Sequence, residues 1–458
     1  MQTTYCIIGA GPTGLGAANR LKELGEDRFM VLERETFVGG LSASFRDDQG
    51  FTWDIGGHVI FSHYPYFDRL LADLLGADYL EHQREAWIRC AGTWVPYPFQ
   101  NNIRFLPRKQ RWHCLRGLLE NHRRESPAPE NFRQWMDTVF GKGIADLFMR
   151  PYNFKVWATP SELMAYNWIG ERVSVIDFER VLKNVILAMD DVSWGPNNTF
   201  RFPYDGGTGE IFRRLGKRVS DRILIGQKAV AVDHAAKQVR LADGSTVAYR
   251  HLLNTAPLDL LAGQWIQDPP DPVRRAAQDL THNGVHVVGV GVRGRREDPK
   301  CWMYFPEDNC PFYRVTNFHN YSPHNVPHKN PNVCSNEQCR ALMAETSFSE
   351  HKPEDADTVV RRTVDGLAAG GLMRDAERSQ IVSRWHHVAD YAYPVPTLAR
   401  DAALRTIQPW LESVDIYSRG RFGGWKYEVG NMDHSVMQGV EWAEMMCKGI
   451  AERTYTLD

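Results

Sequence analysis

Two adjacent glycines and a histidine stand in the stretch DIGGHVIFSH, which covers residues 54–63. Glycine costs roughly 0.5–1 kcal/mol relative to alanine in regular structure, because it loses more conformational freedom on folding. Gly56 and Gly57 therefore predict either an unusual backbone angle or the close approach of another group, with His58 beside that group. The alternative is a glycine-rich turn that carries a surface histidine.

A second glycine pattern lies near the N-terminus. Gly9, Gly11 and Gly14 form G-x-G-x-x-G between a short apolar run and a stretch of helical composition. The first glycine permits the turn, the second lets a pyrophosphate reach the backbone, and the third lets the helix pack on the strand. Glu33 ends the next predicted strand, where a carboxylate can accept hydrogen bonds from a ribose. This pattern predicts dinucleotide binding, and the alternative is a structural glycine turn.

The sequence beyond the acidic residue favours FAD over NAD. Gly39 and Gly40 follow in RETFVGGLSASF, and this second glycine pair suits an extended cofactor that continues past the first binding unit. Near Asp433, the stretch GNMDHSVMQGVEWA predicts a helix start, whose dipole can stabilise negative charge on a flavin ring. We therefore predict FAD, with its ring against Gly57 and beside His58.

Aromatic side chains recur beside isolated arginines and amides. Tyrosine and tryptophan present rigid apolar faces with one polar tip, and arginine presents a planar fork that matches phosphate oxygens. Together they suit a nucleotide-linked sugar, which has a base to stack, a diphosphate to clamp and a sugar to orient. Taken singly, most of these residues are expected to serve packing or ion pairs. The candidates are Tyr97, Gln100, Asn153, Trp157, Arg172, Asn197, Trp302, Tyr304, Arg314, Tyr321, Tyr393, Arg421, Tyr427 and Asn431.

Composition excludes several classes of function. The 458-residue chain has a formal net charge of −2, so no broad basic field attracts nucleic acid or anionic lipid. The apolar run VHVVGVGV is far shorter than the roughly 20 residues that a membrane span needs. The first residues lack a basic region, so we expect no signal peptide and a cytoplasmic location. The eight cysteines are scattered, and we expect them to be reduced.

The predicted elements give an α/β fold with a discontinuous Rossmann-type FAD-binding domain, a helical domain and an antiparallel β-sheet domain. Residues 322–340 are polar and rich in turn formers, which predicts a long mobile loop. The predicted FAD-binding segments are 1–80, 205–280 and 421–458, the helical domain is 105–195, and the sheet or substrate domain is 81–104 with 281–420.

Several longer stretches resemble the UDP-galactopyranose mutases of the eukaryotic type. They are GGHVIFSHY, WVPYPFQNNI, GIADLFMRPYNFKVWA, FPEDNCPFYR and RGRFGGWKYEVGN, the last followed closely by DHS. The similarity runs from about residue 4 to residue 445. It implies interconversion of UDP-galactopyranose and UDP-galactofuranose, with N5 of reduced FAD as the nucleophile at the anomeric carbon. It also implies that only reduced FAD is active and that NADPH or another donor reduces it.

The resemblance implies roles for individual residues. His58 would lie next to flavin N5 on a loop that shifts with redox state, and His63 would support that loop. The diphosphate would be held by Arg172, Arg314, Tyr304, Tyr393 and Tyr427, and the uridine by Tyr97, Gln100, Asn153 and Trp157. Trp302, Asn197 and Arg421 would face the sugar or the flavin. FAD contacts are expected from Gly9, Gly11, Gly14, Glu33, Gly40, Gly57, His58, Arg421, Asn431, Met432 and Ser435, and no metal is expected.

Two positions depart from the family pattern: Lys426 stands where arginine is expected and Met432 where glutamine is expected. The segment 322–345 also matches poorly, and the oligomeric state stays open. Alternative activities are the same chemistry on UDP-arabinose or a deoxyhexose, a flavin oxidase or desaturase, and a catalytically silent FAD-binding protein. An oxidase needs no diphosphate clamp, so Arg172 and Arg314 argue against it.

Overall fold

The computed structural model describes residues 1–123, 127–170, 173–191, 198–327, 333 and 338–457. Its strands are β1 (Tyr5–Ile8), β2 (Phe29–Glu33), β3 (Ser44–Arg46), β4 (Thr52–Asp54), β5 (Tyr79–Gln83), β6 (Ala86–Cys90), β7 (Thr93–Pro96), β8 (Thr199–Pro203), β9 (Ile223–Ile225), β10 (Ala229–Asp233), β11 (Gln238–Leu241), β12 (Thr246–Ala248), β13 (His251–Asn254), β14 (His282–Arg293), β15 (Trp302–Tyr304), β16 (Arg314–Asn317), β17 (Cys339–Phe348), β18 (Ile381–Pro394) and β19 (Ile416–Ser418).

In the described ranges, the helices lie between these strands and after β19. They are α1 (Pro12–Glu23), α2 (Pro65–Leu75), α3 (Arg108–His122), α4 (Phe132–Ile144), α5 (Arg150–Trp157), α6 (Phe178–Ile186), α7 (Gly209–Arg218), α8 (Leu258–Leu260), α9 (Asp271–Gln278), α10 (Ala356–Ala369), α11 (Arg400–Ser413), α12 (Gly420–Gly423) and α13 (Met432–Lys448). None of them combines the length and the apolarity that crossing a membrane requires.

A five-stranded parallel sheet has the order β19-β13-β1-β2-β9. Because its strands come from distant parts of the chain, the predicted α/β class with a discontinuous Rossmann-type domain is confirmed. The predicted start of the last FAD-binding segment at residue 421 is too late, since β19 pairs with β13 in this sheet. The other predicted domain limits stay a prediction.

Helix α13 packs on α1 at very short distance. A Cβ at Gly439 would lie 2.0 Å from the Thr13 carbonyl oxygen, and one at Gly16 would lie 2.6 Å from the Val436 carbonyl oxygen. Two glycines on facing helices thus let the first and last long helices of the chain touch through their backbones.

The second large sheet has the order β18-β14-β17-β16-β15-β6-β7 and is antiparallel except where β15 meets β6. Strands β6 and β7 form a hairpin that turns through Ala91 and Gly92, with φ values of 51° and 75°. The loop predicted at 322–340 is wrong at its end, because β17 begins at Cys339 and pairs with β14 and β16 in the middle of the sheet. A strand buried on both sides lacks the alternating pattern that would have revealed it.

The helices α3, α4, α5 and α6 share one apolar core with the β6–β7 hairpin. The cysteines of the described ranges are mostly free, as expected, but the expectation is wrong for Cys339, which is disulfide-bonded.

Candidate active site

One cavity of about 1490 Å³ is lined by residues from both large sheets, from α5 and from the start of α13. Most of the predicted site residues line it. They are Gly9, Gly11, Glu33, Gly40, Gly57, His58, His63, Tyr97, Gln100, Asn153, Trp157, Trp302, Tyr304, Arg314, Tyr393, Arg421, Tyr427, Asn431, Met432 and Ser435. The candidate cofactor and substrate residues therefore share a single chamber.

Two predicted site residues lie elsewhere. Gly14 is inside α1, where a Cβ would lie 1.9 Å from the Gly9 carbonyl oxygen, so this glycine serves helix packing. Tyr321 is fully buried in an aromatic cluster beneath the antiparallel sheet and does not line the cavity. Arg172 and Asn197 fall outside the described residues.

The glycines of the first turn have different causes. Gly9 has φ +99°, and a Cβ there would lie 2.3 Å from Thr255 Oγ1. Gly11 has an ordinary φ of −77°, and its Cβ would meet only the Cα of Gly40 at 4.0 Å. The protein's own packing therefore requires glycine at 9 but not at 11. The space beside Gly11 belongs to the cavity, which Gly40 also lines, and it matches the place for a pyrophosphate in such a turn.

A matched pair of variants separates ligand binding from folding at this turn. Gly11→Ala is expected to fold normally and to weaken FAD binding by roughly 10-fold or more, because the methyl group fills the phosphate approach. Gly14→Ala is expected to disrupt the β1–α1 packing itself. Circular dichroism reports the fold, and flavin absorbance after gel filtration reports cofactor retention. Wild-type FAD affinity in Gly11→Ala would show that no pyrophosphate reaches this residue.

Glu33 ends β2 with only 6% of its surface exposed. Its Oε2 accepts a hydrogen bond from the backbone N–H of Ala10 at 2.7 Å, and its Oε1 accepts one from that of Glu35 at 2.9 Å. Burial raises the pKa of Glu33, while these two hydrogen bonds act against that rise. The carboxylate is thus fixed at the cavity wall with lone pairs to spare, which suits the predicted ribose contact.

The groups that approach Gly56 and Gly57 are protein side chains. A Cβ at Gly57 would lie 2.5 Å from Thr316 Oγ1 and 2.9 Å from Trp302 Nε1. Gly56 has φ +100°, and its Cβ would lie 3.0 Å from Glu345 Oε2. The prediction that a ligand ring requires glycine at 56 and 57 is therefore wrong for the space that a Cβ would occupy, because protein side chains lie there. Gly57 still lines the cavity, so its contact with the cofactor stays a prediction.

His58 is enclosed by the cavity wall, and its Nδ1 has no hydrogen-bond partner among the described residues. Burial lowers the pKa of His58 to about 4, helped by the positive charges of Arg314 and Arg421 and opposed by Glu345. The imidazole is therefore neutral at physiological pH.

This lowered pKa predicts a pH dependence of stability. The unfolded chain has the ordinary histidine pKa of about 6.5, so it binds more protons than the folded chain between pH 6.5 and 4. The contribution of His58 is therefore present above pH 6.5 and is lost as the pH falls to 4, by about 3 kcal/mol. As the pH is lowered through this window, the wild type is expected to lose melting temperature relative to His58→Gln. A difference in melting temperature that is constant with pH would contradict the prediction.

Arg314 lies in a buried ion pair with Glu345, a residue that the sequence did not single out. Arg314 donates hydrogen bonds from Nε and Nη2 to the two carboxylate oxygens of Glu345, at 2.7 and 2.6 Å. Tyr313 Oη also donates to Glu345, at 2.7 Å, and the guanidinium lies over the Trp302 ring at 4.8 Å. Burial alone would raise the pKa of Glu345, but the arginine outweighs it and holds the pKa below its usual value.

Tyrosine rings form one wall of the cavity. The Tyr97 and Tyr304 ring centroids are 5.9 Å apart, and those of Tyr393 and Tyr427 are 5.8 Å apart. The Arg421 guanidinium lies 4.8 Å from the Tyr393 centroid. Burial raises the pKa of Tyr304 and Tyr393, so their hydroxyls stay protonated and can donate hydrogen bonds. This wall offers flat faces for a base and donors for an anion.

Gln100 and Asn153 line the cavity but use their amide nitrogens within the protein. Gln100 Nε2 donates to the Ser174 carbonyl oxygen at 2.6 Å, and Asn153 Nδ2 donates to that of Met149 at 2.7 Å. Their side chains are thereby oriented, and their predicted contacts with uridine stay predictions.

His63 is joined to the start of α13 through Asp433. The two residues contact at 2.7 Å between Nδ1 and Oδ2, and His434 Nδ1 lies 3.0 Å from the other carboxylate oxygen. These three residues could also hold a metal ion, since their ligand atoms lie within 4.8 Å of one another. Hydrogen bonds already occupy the carboxylate, and the helix N-terminus disfavours a cation. This contact accords with the prediction that His63 supports the loop that carries His58.

A family model described as flavin containing amine oxidoreductase matches residues 12–446. The crystal structure of a reduced UDP-galactopyranose mutase superimposes with a TM-score of 0.94 and 44% identity, covering 99% of this chain and 97% of that one. The chain belongs to the UDP-galactopyranose mutase family.

More distant relatives of this mutase-family chain share its fold. A putrescine oxidase bound to putrescine superimposes with a TM-score of 0.64 at 18% identity, covering 97% of this chain and 99% of the oxidase. The 15-cis-phytoene desaturase of Glycine max is 33% identical over 82 residues, which are 18% of this chain and only 14% of the desaturase. At these levels the oxidase shows the fold alone and the desaturase shows a local likeness.

FAD is the cofactor of this mutase-family chain. The residues present fit it, because the open face of Gly11, the fixed carboxylate of Glu33 and the N-terminus of α13 all border the cavity. Of the two departures from the family pattern, Lys426 turns away and donates to the Thr456 carbonyl oxygen at 2.8 Å. Met432 opens α13 and lines the cavity, so it alone bears on the site.

Proposed function

We propose that this protein interconverts UDP-galactopyranose and UDP-galactofuranose. The observation that carries the proposal is the likeness over nearly the whole chain to a UDP-galactopyranose mutase, together with the single cavity that unites the FAD turn and the arginine–tyrosine wall. When bound and reduced, FAD supplies the nucleophile for the anomeric carbon.

Arg314 and the tyrosines act on the UDP leaving group in this proposal. The Arg314 fork is held in place by Glu345 and by the Trp302 face, so no reorganisation is needed as negative charge develops on the departing diphosphate. Tyr304, Tyr393 and Tyr427 would donate hydrogen bonds to the same oxygens. Tyr97 would stack on the uracil, and Trp157 would form the floor of that subsite.

His58 acts beside the sugar in this proposal. Its neutral ring, which has no hydrogen-bond partner at Nδ1 among the described residues, would orient a sugar hydroxyl or a cofactor N–H without adding charge. Trp302 and Arg421 would limit the sugar to a compact chamber. The proposal includes NADPH or another donor as reductant and a cytoplasmic setting, with which the six free cysteines of the described residues accord and the disulfide at Cys339 does not.

The test uses the purified yellow holoenzyme and UDP-galactofuranose, with and without dithionite. Anion-exchange chromatography separates the furanose and pyranose nucleotides. Conversion only under reduction is the expected result. UDP binding without conversion would redirect the search to other nucleotide sugars, such as UDP-arabinose or a deoxyhexose. Absence of UDP binding would overturn the proposal.

A further inference from the structure

We propose that Glu345 is a positioning residue that joins Arg314 and the Gly56–His58 segment into one unit, so that binding of an anionic substrate and the placement of that segment depend on each other. This inference rests on the proposed function, because it concerns the same cavity and a UDP ligand. Glu345 has only 2% of its surface exposed and is part of neither predicted ligand set.

The sheet itself creates this contact. Arg314 on β16 and Glu345 on β17 are directly opposite in the antiparallel register. Oε1 of Glu345 accepts from Arg314 Nε at 2.7 Å and from the Gly57 backbone N–H at 3.0 Å. Oε2 accepts from Arg314 Nη2 at 2.6 Å and from Tyr313 Oη at 2.7 Å. One carboxylate thus holds two elements that are far apart in sequence.

These four hydrogen bonds use the whole acceptor capacity of the carboxylate, which offers about four lone-pair positions. In a buried site a broken hydrogen bond is not replaced by water. A displacement of Arg314 therefore moves the Glu345 carboxylate, and with it the backbone of Gly57. The glycines tighten the link, because a Cβ at Gly56 or Gly57 would lie 3.0 or 3.4 Å from the carboxylate oxygens.

The same carboxylate also compensates the charge of Arg314. Its removal would leave an uncompensated guanidinium, which attracts a diphosphate more strongly but is no longer held in the geometry that the reaction needs. Tighter binding with slower turnover is therefore the signature of a positioning role. A residue that only stabilises the fold would instead lower FAD content, affinity and turnover together.

The experiment compares Glu345→Gln with the wild-type holoenzyme, measuring UDP affinity by calorimetry and kcat and KM under dithionite. We expect UDP to bind roughly 3- to 10-fold more tightly and kcat to fall by roughly 10-fold or more. Tyr313→Phe removes one of the four hydrogen bonds to Glu345, together with the 3.2 Å contact between the Tyr313 and Tyr393 hydroxyls, and we expect the same two changes at smaller size. It carries the test if Glu345→Gln loses FAD. Glu377→Gln is the matched control, since it breaks a remote ion pair with Arg340 and should change nothing.

Double variants test the link itself. Added to Arg314→Ala or to Gly57→Ala, Glu345→Gln should cause little further loss, because the unit is already broken. Additive losses, or UDP affinity that is unchanged or weaker in Tyr313→Phe and Glu345→Gln, would overturn the inference. If the wild type binds UDP but does not turn over UDP-galactofuranose, the proposed reaction fails, and the affinity measurements still decide the role of Glu345.

Discussion

Arg314→Ala is expected to lower kcat/KM for UDP-galactofuranose by roughly 10²-fold or more. The variant loses the fixed donors that, in the proposed function, face the leaving diphosphate. It also leaves Glu345 buried without its partner, and stranding one member of a buried ion pair typically costs about 3–5 kcal/mol of stability. Activity is therefore to be normalised to flavin content and measured well below the melting temperature.

Two further variants give this result its meaning. Arg314→Lys keeps a positive charge but cannot form the paired hydrogen bonds of the guanidinium, so its activity should lie between those of alanine and the wild type. Arg340→Ala removes an arginine of similar exposure from the ion pair with Glu377, and its turnover should stay normal. Wild-type turnover in Arg314→Ala would show that Arg314 takes no part in the reaction.

Gly57→Ala is expected to lower kcat/KM by a similar factor, roughly 10²-fold, although it changes no polar group. The new methyl group would lie within 3 Å of Thr316 Oγ1 and Trp302 Nε1, so the segment that carries His58 must move. Removing one of the two obstacles in Gly57→Ala/Thr316→Ala should restore part of the activity.

The matched control is Gly263→Ala, whose Cβ would meet Ala277 Cβ at an ordinary 3.5 Å. It should retain full activity in the same assay of UDP-galactofuranose turnover. Unchanged kcat/KM in Gly57→Ala would mean that the placement of the 56–58 segment does not limit the reaction.

The parts of this molecule that depend on short local patterns could be predicted from the sequence. The turn with Gly9 and Gly11, the hairpin at Ala91 and the acidic end of β2 each follow from a few neighbouring residues. The resemblance to a family supplied the wider set of cavity residues. The density of aromatic residues beside arginines and amides named Tyr321 as well, which the structure buries in the core, because an aromatic residue in such a stretch looks the same whether it packs or binds.

The network around Arg314 could not be predicted in this way. Glu345 lies within the apolar run of β17, close to the polar stretch whose composition predicts a mobile loop, and its partner is 31 residues away in sequence. Only the register of β16 and β17 brings the two charges together. The one available signal was a lone acidic residue in a buried strand, which requires a partner of opposite charge. Because the sequence does not reveal this contact, the glycines at 56 and 57 predict a nearby ligand, whereas the carboxylate of Glu345 is among the groups that lie against them.

The contact between α1 and α13 has a consequence for biosynthesis. The helix α1, which follows the cofactor turn, packs against α13, and α13 begins only at Met432. The parallel sheet next to this turn is complete only when β19 has been added. On the ribosome, the segment of α3 to α6 can form its own core early, since its helices are neighbours in sequence. The nucleotide-binding half cannot close until α13 has emerged, so a nascent chain that is interrupted before this helix would expose apolar surface and hold no flavin.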